Sequence, residues 1–360
     1  MKISKIFGSI IMITLVSCGG AENSLTPTTT IVIPLKKAAS FPIGMIVSTS
    51  RISGSDTNFR TILNKEFNSI TAEYEMKMAS IFTGANTYDF SKGDAIVAYA
   101  KANGIRVHGH ALVWHSSIPS WLQNYSGTDA EFGAQVKGYI KTTVAHFALE
   151  KTASGKSVVE SWDVVNEAFT DAALNAVFYK RIGPNYVAKC FTWAREADAT
   201  VKLFYNDYNL ESDNTKVVSV IDMVNTFKAN STPIDGIGLQ MHIDYQYPSL
   251  STMTDNLAVL KSTGLLIHFS ELDMTVNKDK VLSSKSSDRA NAQKAKYKEI
   301  AVLYKTIPAA QRFGITFWGM RDTDSWLISF YSNTNEWPLL FDANYGYKAA
   351  YTGFLEGLQL

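Results

Sequence analysis

Short apolar runs rich in β-branched and aromatic residues recur along this 360-residue chain, with helical patterns between them. The first four are "FPIGMIV" (from Phe41 to Val47), "FNSIT" (from Phe67 to Thr71), "IRVHGHALVW" (from Ile105 to Trp114) and "VESWDVVN" (from Val159 to Asn166). The next four are "VKLFYND" (from Val201 to Asp207), "IDGIGLQMHI" (from Ile234 to Ile243), "LLIHFSEL" (from Leu265 to Leu272) and "FGITFW" (from Phe313 to Trp318). Stretches such as "GDAIVAYAKANG" and "DRANAQKAKYKEIAVLYKTI" carry apolar residues at helical spacing. Eight alternations of strand and helix predict an α/β fold, a parallel sheet closed into a single (β/α)8 TIM barrel. An open doubly wound sheet is the alternative.

A barrel of this kind collects reactive residues at the C-terminal ends of its strands. Here those places hold His110, Trp114 and His115 after the third strand, and Asn166 and Glu167 after the fourth. "NDYN" follows the fifth, Gln240 and His242 end the sixth, and Trp318 ends the eighth. The seventh is the most pointed: in "IHFSELDM", Glu271 and Asp273 occupy alternate positions and so share a face. Acids are almost never buried without partners, so the pair marks a solvated strand end or a site. A merely solvated rim would favour Lys, Glu and Ser over this concentration of Trp, His and amides, so the pattern favours a site.

Composition narrows the picture. Lys plus Arg is 34 and Asp plus Glu is 33, a net charge of +1, which argues against nucleic acid as a partner. The 12% aromatic content suits a site that stacks something flat. At the N-terminus, Lys2 and Lys5 precede an apolar run from Ile6 to Val16 that is too short to span a bilayer, the pattern of an export signal. "LVSC" ends on Cys18, which is placed as the lipidated first residue of a bacterial lipoprotein; a plain signal peptide cleaved near Gly20 is the simpler reading. The expected organisation is a signal over 1–17, a Thr- and Pro-containing linker over 18–33, and one catalytic barrel over 34–360. That places the protein outside the cytoplasm, tied to a membrane only through lipid and otherwise monomeric. The other cysteine is Cys190, so neither an internal disulfide nor a cysteine metal site is expected. His110 and His115 do not have a zinc spacing.

Glu167 and Glu271, three strands apart around a barrel, are the minimum equipment for glycoside hydrolysis. One carboxyl must be protonated to assist the leaving group and the other ionised to attack the anomeric carbon or activate water. Asn166 is placed to bind a sugar hydroxyl, and His242 with Asp273 to orient Glu271 and keep it anionic. Each has a blander reading: Asp273 as half of an ion pair, His242 as a satisfied core histidine, Trp162 and Trp326 as packing residues.

Seven segments then carry a resemblance: "FNSITAEYEMK", "GHALVWHSSIPSWL", "WDVVNEAF", "LFYNDYN", "IDGIGLQMHI", "HFSELDM" and "ITFWGMRDTDSWL". In order and separation they resemble glycoside hydrolase family 10, the endo-1,4-β-xylanases, from about Pro34 to the C-terminus. The resemblance implies that Glu167 is the acid/base and Glu271 the nucleophile of a retaining mechanism. It implies that Asn166 binds the 2-hydroxyl at the cleavage point and that His242, backed by Asp273, supports Glu271. His110, Trp114, Gln240 and Trp318 would shape the site of that sugar, Glu73 and Lys77 would hold glycone hydroxyls beside Trp326, and Tyr208 would be an aglycone platform. Xylan is the implied substrate and no cofactor or metal is required. After the second strand the family usually has Glu-Asn-Glu-Met-Lys-Trp, whereas this chain has Tyr74 and Met78 at the Asn and Trp positions, which leaves its glycone preference open. Two other readings are the same chemistry on another β-glycan or on short xylo-oligosaccharides, and a glycan-binding lipoprotein without catalysis.

Overall fold

The computed structural model describes residues 33–360. The export signal, Cys18 and nearly all of the linker lie outside the described residues. Eight parallel strands form the centre: β1 Ile43–Val47, β2 Ser69–Ala72, β3 Arg106–Gly109, β4 Val159–Asn166, β5 Lys202–Asp207, β6 Gly236–Leu239, β7 Leu266–Thr275 and β8 Arg312–Phe317. Each pairs with the next, and β8 returns to β1 with Ile315 opposite Ile43 and Phe317 opposite Met45. The sheet is therefore a closed (β/α)8 barrel, as the alternation predicted. Closure leaves each strand covered on both faces, which is why β4 is buried at every residue but Glu160.

Two of the apolar runs are each split into two strands. "IRVHGHALVW" leaves the sheet after Gly109 and rejoins it as a short strand, Val113–Trp114, beside β4. "IDGIGLQMHI" breaks after Leu239 and resumes at His242–Asp244 beside β7, with Met241 between them in the left-handed region at φ 60. Hydrophobic periodicity cannot register such breaks, because the residues on either side remain buried. In the other direction β7 outruns its prediction and ends at Thr275, so Glu271 and Asp273 both lie inside a strand.

Two glycines admit bulky neighbours into the sheet. A Cβ on Gly109 would stand 2.3 Å from the indole of Trp162, and one on Gly236 would stand 2.1 Å from the ring of Phe204. Trp162 is thereby a packing residue, buried against Gly109 and Phe147. The barrel interior is unusually polar. Arg106, His108 and His110 alternate along one side of β3 and its extension. The Arg106 guanidinium lies 4.0 Å from the Phe313 ring centre and donates to the Phe313 carbonyl at 2.8 Å. Asp163 lies 2.9 Å from His108 Nε2 and 2.8 Å from His110 Nδ1. Burial works to raise the Asp163 carboxyl, but the two imidazoles outweigh it and hold it below its ordinary value. Outside the barrel, the long helix Asp129–Ala148 begins with a reciprocal Thr128–Glu131 capping box, worth about 1 kcal/mol.

Candidate active site

A cleft of about 740 Å³ opens at the C-terminal rim of the barrel, lined by residues at or beyond the ends of β2 to β6 and β8 and by Glu271 from within β7. The loops converge there because all eight strands run the same way.

Glu271 enters from β7 and is nearly buried. Its Oε1 accepts a hydrogen bond from the Asn206 amide at 2.8 Å, and its Oε2 is 3.3 Å from His242 Nε2. On its other side, His242 Nδ1 is 2.8 Å from Asp273 Oδ1, and the Trp326 indole donates to Asp273 Oδ2 at 2.8 Å. Burial alone would lower the imidazole, but Asp273 and Glu271 overcome it and hold His242 well above the ordinary histidine range. Burial also works to raise Glu271, yet the hydrogen bond to His242 and the neighbouring imidazole charges bring its carboxyl below the usual value. This acid is held ionised. The two acids of "IHFSELDM" thus face one histidine, and Asp273 stands behind it rather than in the cleft.

Glu167 is the first residue beyond β4 and adopts φ 58, a left-handed conformation uncommon outside glycine and characteristic of functional sites. Its N–H donates to the Asn206 carbonyl at 2.9 Å, which anchors the turn. The carboxylate accepts from the Trp114 indole at 2.8 Å on Oε2, and from Gln240 at 3.0 Å and Asn166 at 3.2 Å on Oε1. Asn206 also donates to Asn166 Oδ1 at 2.9 Å and accepts from Ser270 Oγ at 2.6 Å. Two amides therefore bridge the two carboxylates, from Glu271 through Asn206 and Asn166 to Glu167.

Around this pair the cleft wall is aromatic. Trp318 stands edge-on to His110, with ring centres 5.4 Å apart, and Trp326 packs on His242 at 5.1 Å. Lys77 lies between two rings, its ammonium 4.8 Å from the centre of Trp114 and 5.3 Å from that of Tyr74. Burial draws that ammonium below the usual lysine value, against the pull of Glu271 and Glu73. Tyr208 lines the cleft as well, but Lys216 Nζ sits 3.4 Å from its ring centre and is bound to Asp207 at 2.6 Å. One face of that ring is therefore occupied.

All the cleft residues expected from sequence line this one cavity: Glu73, Lys77, His110, Trp114, Asn166, Glu167, Tyr208, Gln240, His242, Glu271, Trp318 and Trp326. Asn206 stands in "LFYNDYN" with nothing to mark its role, because a strand-end amide that faces inward differs in no sequence feature from one that faces solvent. Ser116, Ser117, Asn209, Phe330 and Tyr331 also line the cleft without any spacing that marks them. Chemically, the arrangement offers one carboxylate kept charged and a second bound only by neutral donors, within a wall suited to sugar rings.

The profile of Glycosyl hydrolase family 10 matches residues 34–357. An endo-β-1,4-xylanase of Cellvibrio japonicus, Xyn10C, is 37% identical over 345 residues, covering 88% of this chain and 56% of that protein. A β-1,4-xylanase of Dictyoglomus thermophilum is 36% identical, with 86% of each chain covered. The first two curated relatives are thus matched over little more than half their length. Among solved structures, native xylanase 10C of C. japonicus superposes with a TM-score of 0.85 at 35% identity, over 91% of this chain and 73% of that one. Xylanase 10B of Thermotoga maritima gives 0.81 at 34% identity, over 91% and 98%. With the match running through the whole barrel and every strand end of the cleft, this chain belongs to glycosyl hydrolase family 10.

Proposed function

We propose that the protein is a retaining endo-1,4-β-xylanase in which Glu271 is the nucleophile and Glu167 the acid/base. The reading rests above all on the amide-bridged carboxylate pair in a single cleft, with Glu271 held anionic by His242. A nucleophile must be ionised, and the acid role then falls to its partner. The names of the relatives supply the substrate class.

In the first step a Glu271 oxygen forms a bond to the anomeric carbon as the glycosidic C–O bond breaks, and Glu167 transfers its proton to the departing oxygen. In the second, water loses a proton to Glu167 and attacks the same carbon, and the bond to Glu271 breaks. Asn166 holds the 2-hydroxyl of the reacting sugar, His242 and Asp273 keep Glu271 oriented, and His110, Trp114, Gln240 and Trp318 shape the sugar's enclosure. Glu73 and Lys77 hold the glycone beside Trp326, and the free face of Tyr208 serves the aglycone. The test is to follow the anomeric configuration of the first products from xylan by NMR, with Glu271→Ala as control. Retention together with an inert variant supports the assignment; inversion removes Glu271 from the nucleophile role, and an equally inert wild type favours a binding protein.

We also infer that the chain is exported and lipid-anchored through Cys18, which puts xylan cleavage outside the cytoplasm. Metabolic labelling with palmitate, lost in Cys18→Ala, tests this; an unlabelled wild type leaves a plain export signal.

A further inference from the structure

Tyr74 is an exposed ring at a place where exposure has no structural return. It lies just after β2, retains 57% of its surface, and lines the same cleft as the two carboxylates. Its main chain is pinned: the carbonyl accepts from Ser80 Oγ at 2.8 Å and from the Lys77 N–H at 3.1 Å. The ring faces the Lys77 ammonium at 5.3 Å, which gives the side chain a neighbour on the cleft side. A ring whose main chain is held while its face stays open to solvent has already met part of the ordering cost of binding. Most of what the exposed ring offers a ligand is its apolar face. The groups beside it, Glu73 and Lys77, offer the complementary chemistry: a carboxylate to accept from hydroxyls and an ammonium to donate to them.

An amide at this position would make hydrogen bonds to a sugar and provide no stacking surface. A tyrosine offers the stacking surface that an amide lacks. Building on the xylanase reading above, we propose that Tyr74 sets affinity for the glycone sugar beyond the reacting one, binding it by ring stacking between Glu73 and Lys77.

Paired kinetics on an aryl β-xyloside and an aryl β-xylobioside test this, because the second substrate differs only by that outer sugar. Tyr74→Ala is expected to raise KM for the xylobioside about tenfold, the size of one aromatic contact, with kcat held. The preference for xylobioside over xyloside in kcat/KM falls by the same factor. Tyr74→Phe retains the ring and is expected within about twofold of wild type, whereas Tyr74→Asn resembles Tyr74→Ala. A merely structural tyrosine would lower the two substrates together. Overturning results are Tyr74→Ala matching wild type in the xylobioside-to-xyloside ratio, an equal loss on both substrates, or Tyr74→Asn binding the outer sugar more tightly than wild type. If wild type cleaves neither substrate, the xylanase reading fails first and this inference goes with it.

Discussion

Asn206, at the end of β5, donates its amide to Oε1 of Glu271 on β7 across a distance of 2.8 Å. The intervening strand, β6, makes room for it: a Cβ on Gly238 would stand 2.2 Å from Asn206 Oδ1. The same side chain serves Asn166 and Ser270, so one buried amide holds three strand ends in register.

Removing that amide should cost both stability and rate. Asn206→Ala leaves Glu271, Asn166 and Ser270 each short of a partner in a buried setting, a loss of about 2–4 kcal/mol. Urea unfolding should show it. Xylan cleavage should drop more than about tenfold as Glu271 loses its orientation.

Trp114→Phe separates a hydrogen bond from a ring. The substitution removes the indole donor to Glu167 Oε2 and keeps an aromatic face near Lys77. Turnover is expected to fall roughly tenfold with thermal stability little changed, the size of one well-formed hydrogen bond to a catalytic group. A variant that melts much earlier would instead make Trp114 structural.

His242 should titrate far above an ordinary histidine, and Asp273→Asn should bring it down. Because its folded value is raised, the stability it contributes is full below about pH 6.5 and is lost as pH climbs through the higher folded value. Glu271 is depressed, so its share is present above its usual range and lost as pH falls through the lower folded value. NMR titration of the imidazole in wild type and Asp273→Asn checks the direction.

Glu211 behaves in the opposite sense to Glu271. It is buried in the loop that follows β5, its Oε2 has no hydrogen-bond partner among the described residues, and burial pushes its carboxyl up to about 7. Folding therefore loses stability as pH rises from the unfolded value, about 4.5, through about 7. Glu211→Gln should be more stable than wild type at pH 8 and show no such gain at pH 4.5. Equal differences at both would place the effect in packing.

Much of this architecture is legible along the chain. Strands covered on both faces keep their apolar character whatever lies beside them, so "WDVVN" and "LFYND" announce β4 and β5 without any knowledge of neighbours. Glu167, Trp114 and Trp318 are legible because each sits at or next to a strand end, and strand ends are local; Glu271 is legible through its apolar setting, although its strand runs on to Thr275. The breaks after Gly109 and Leu239 were not legible, because burial continues through them while the backbone turns.

The order of elements, the barrel they form and the residues presented at its mouth were thus determined by the sequence itself, through period and position. Which polar atoms meet was decided only by closure of the sheet. Asn206 and Glu271 are 65 residues apart, and Trp114 and Glu167 are 53 apart. No local pattern encodes a contact across that distance; it exists because β8 returns to β1 and brings every strand end around one axis. Lys216 against Tyr208 and Lys77 beside Tyr74 are by contrast local contacts, each within one segment after a strand; what closure added was to bring both segments to one cleft.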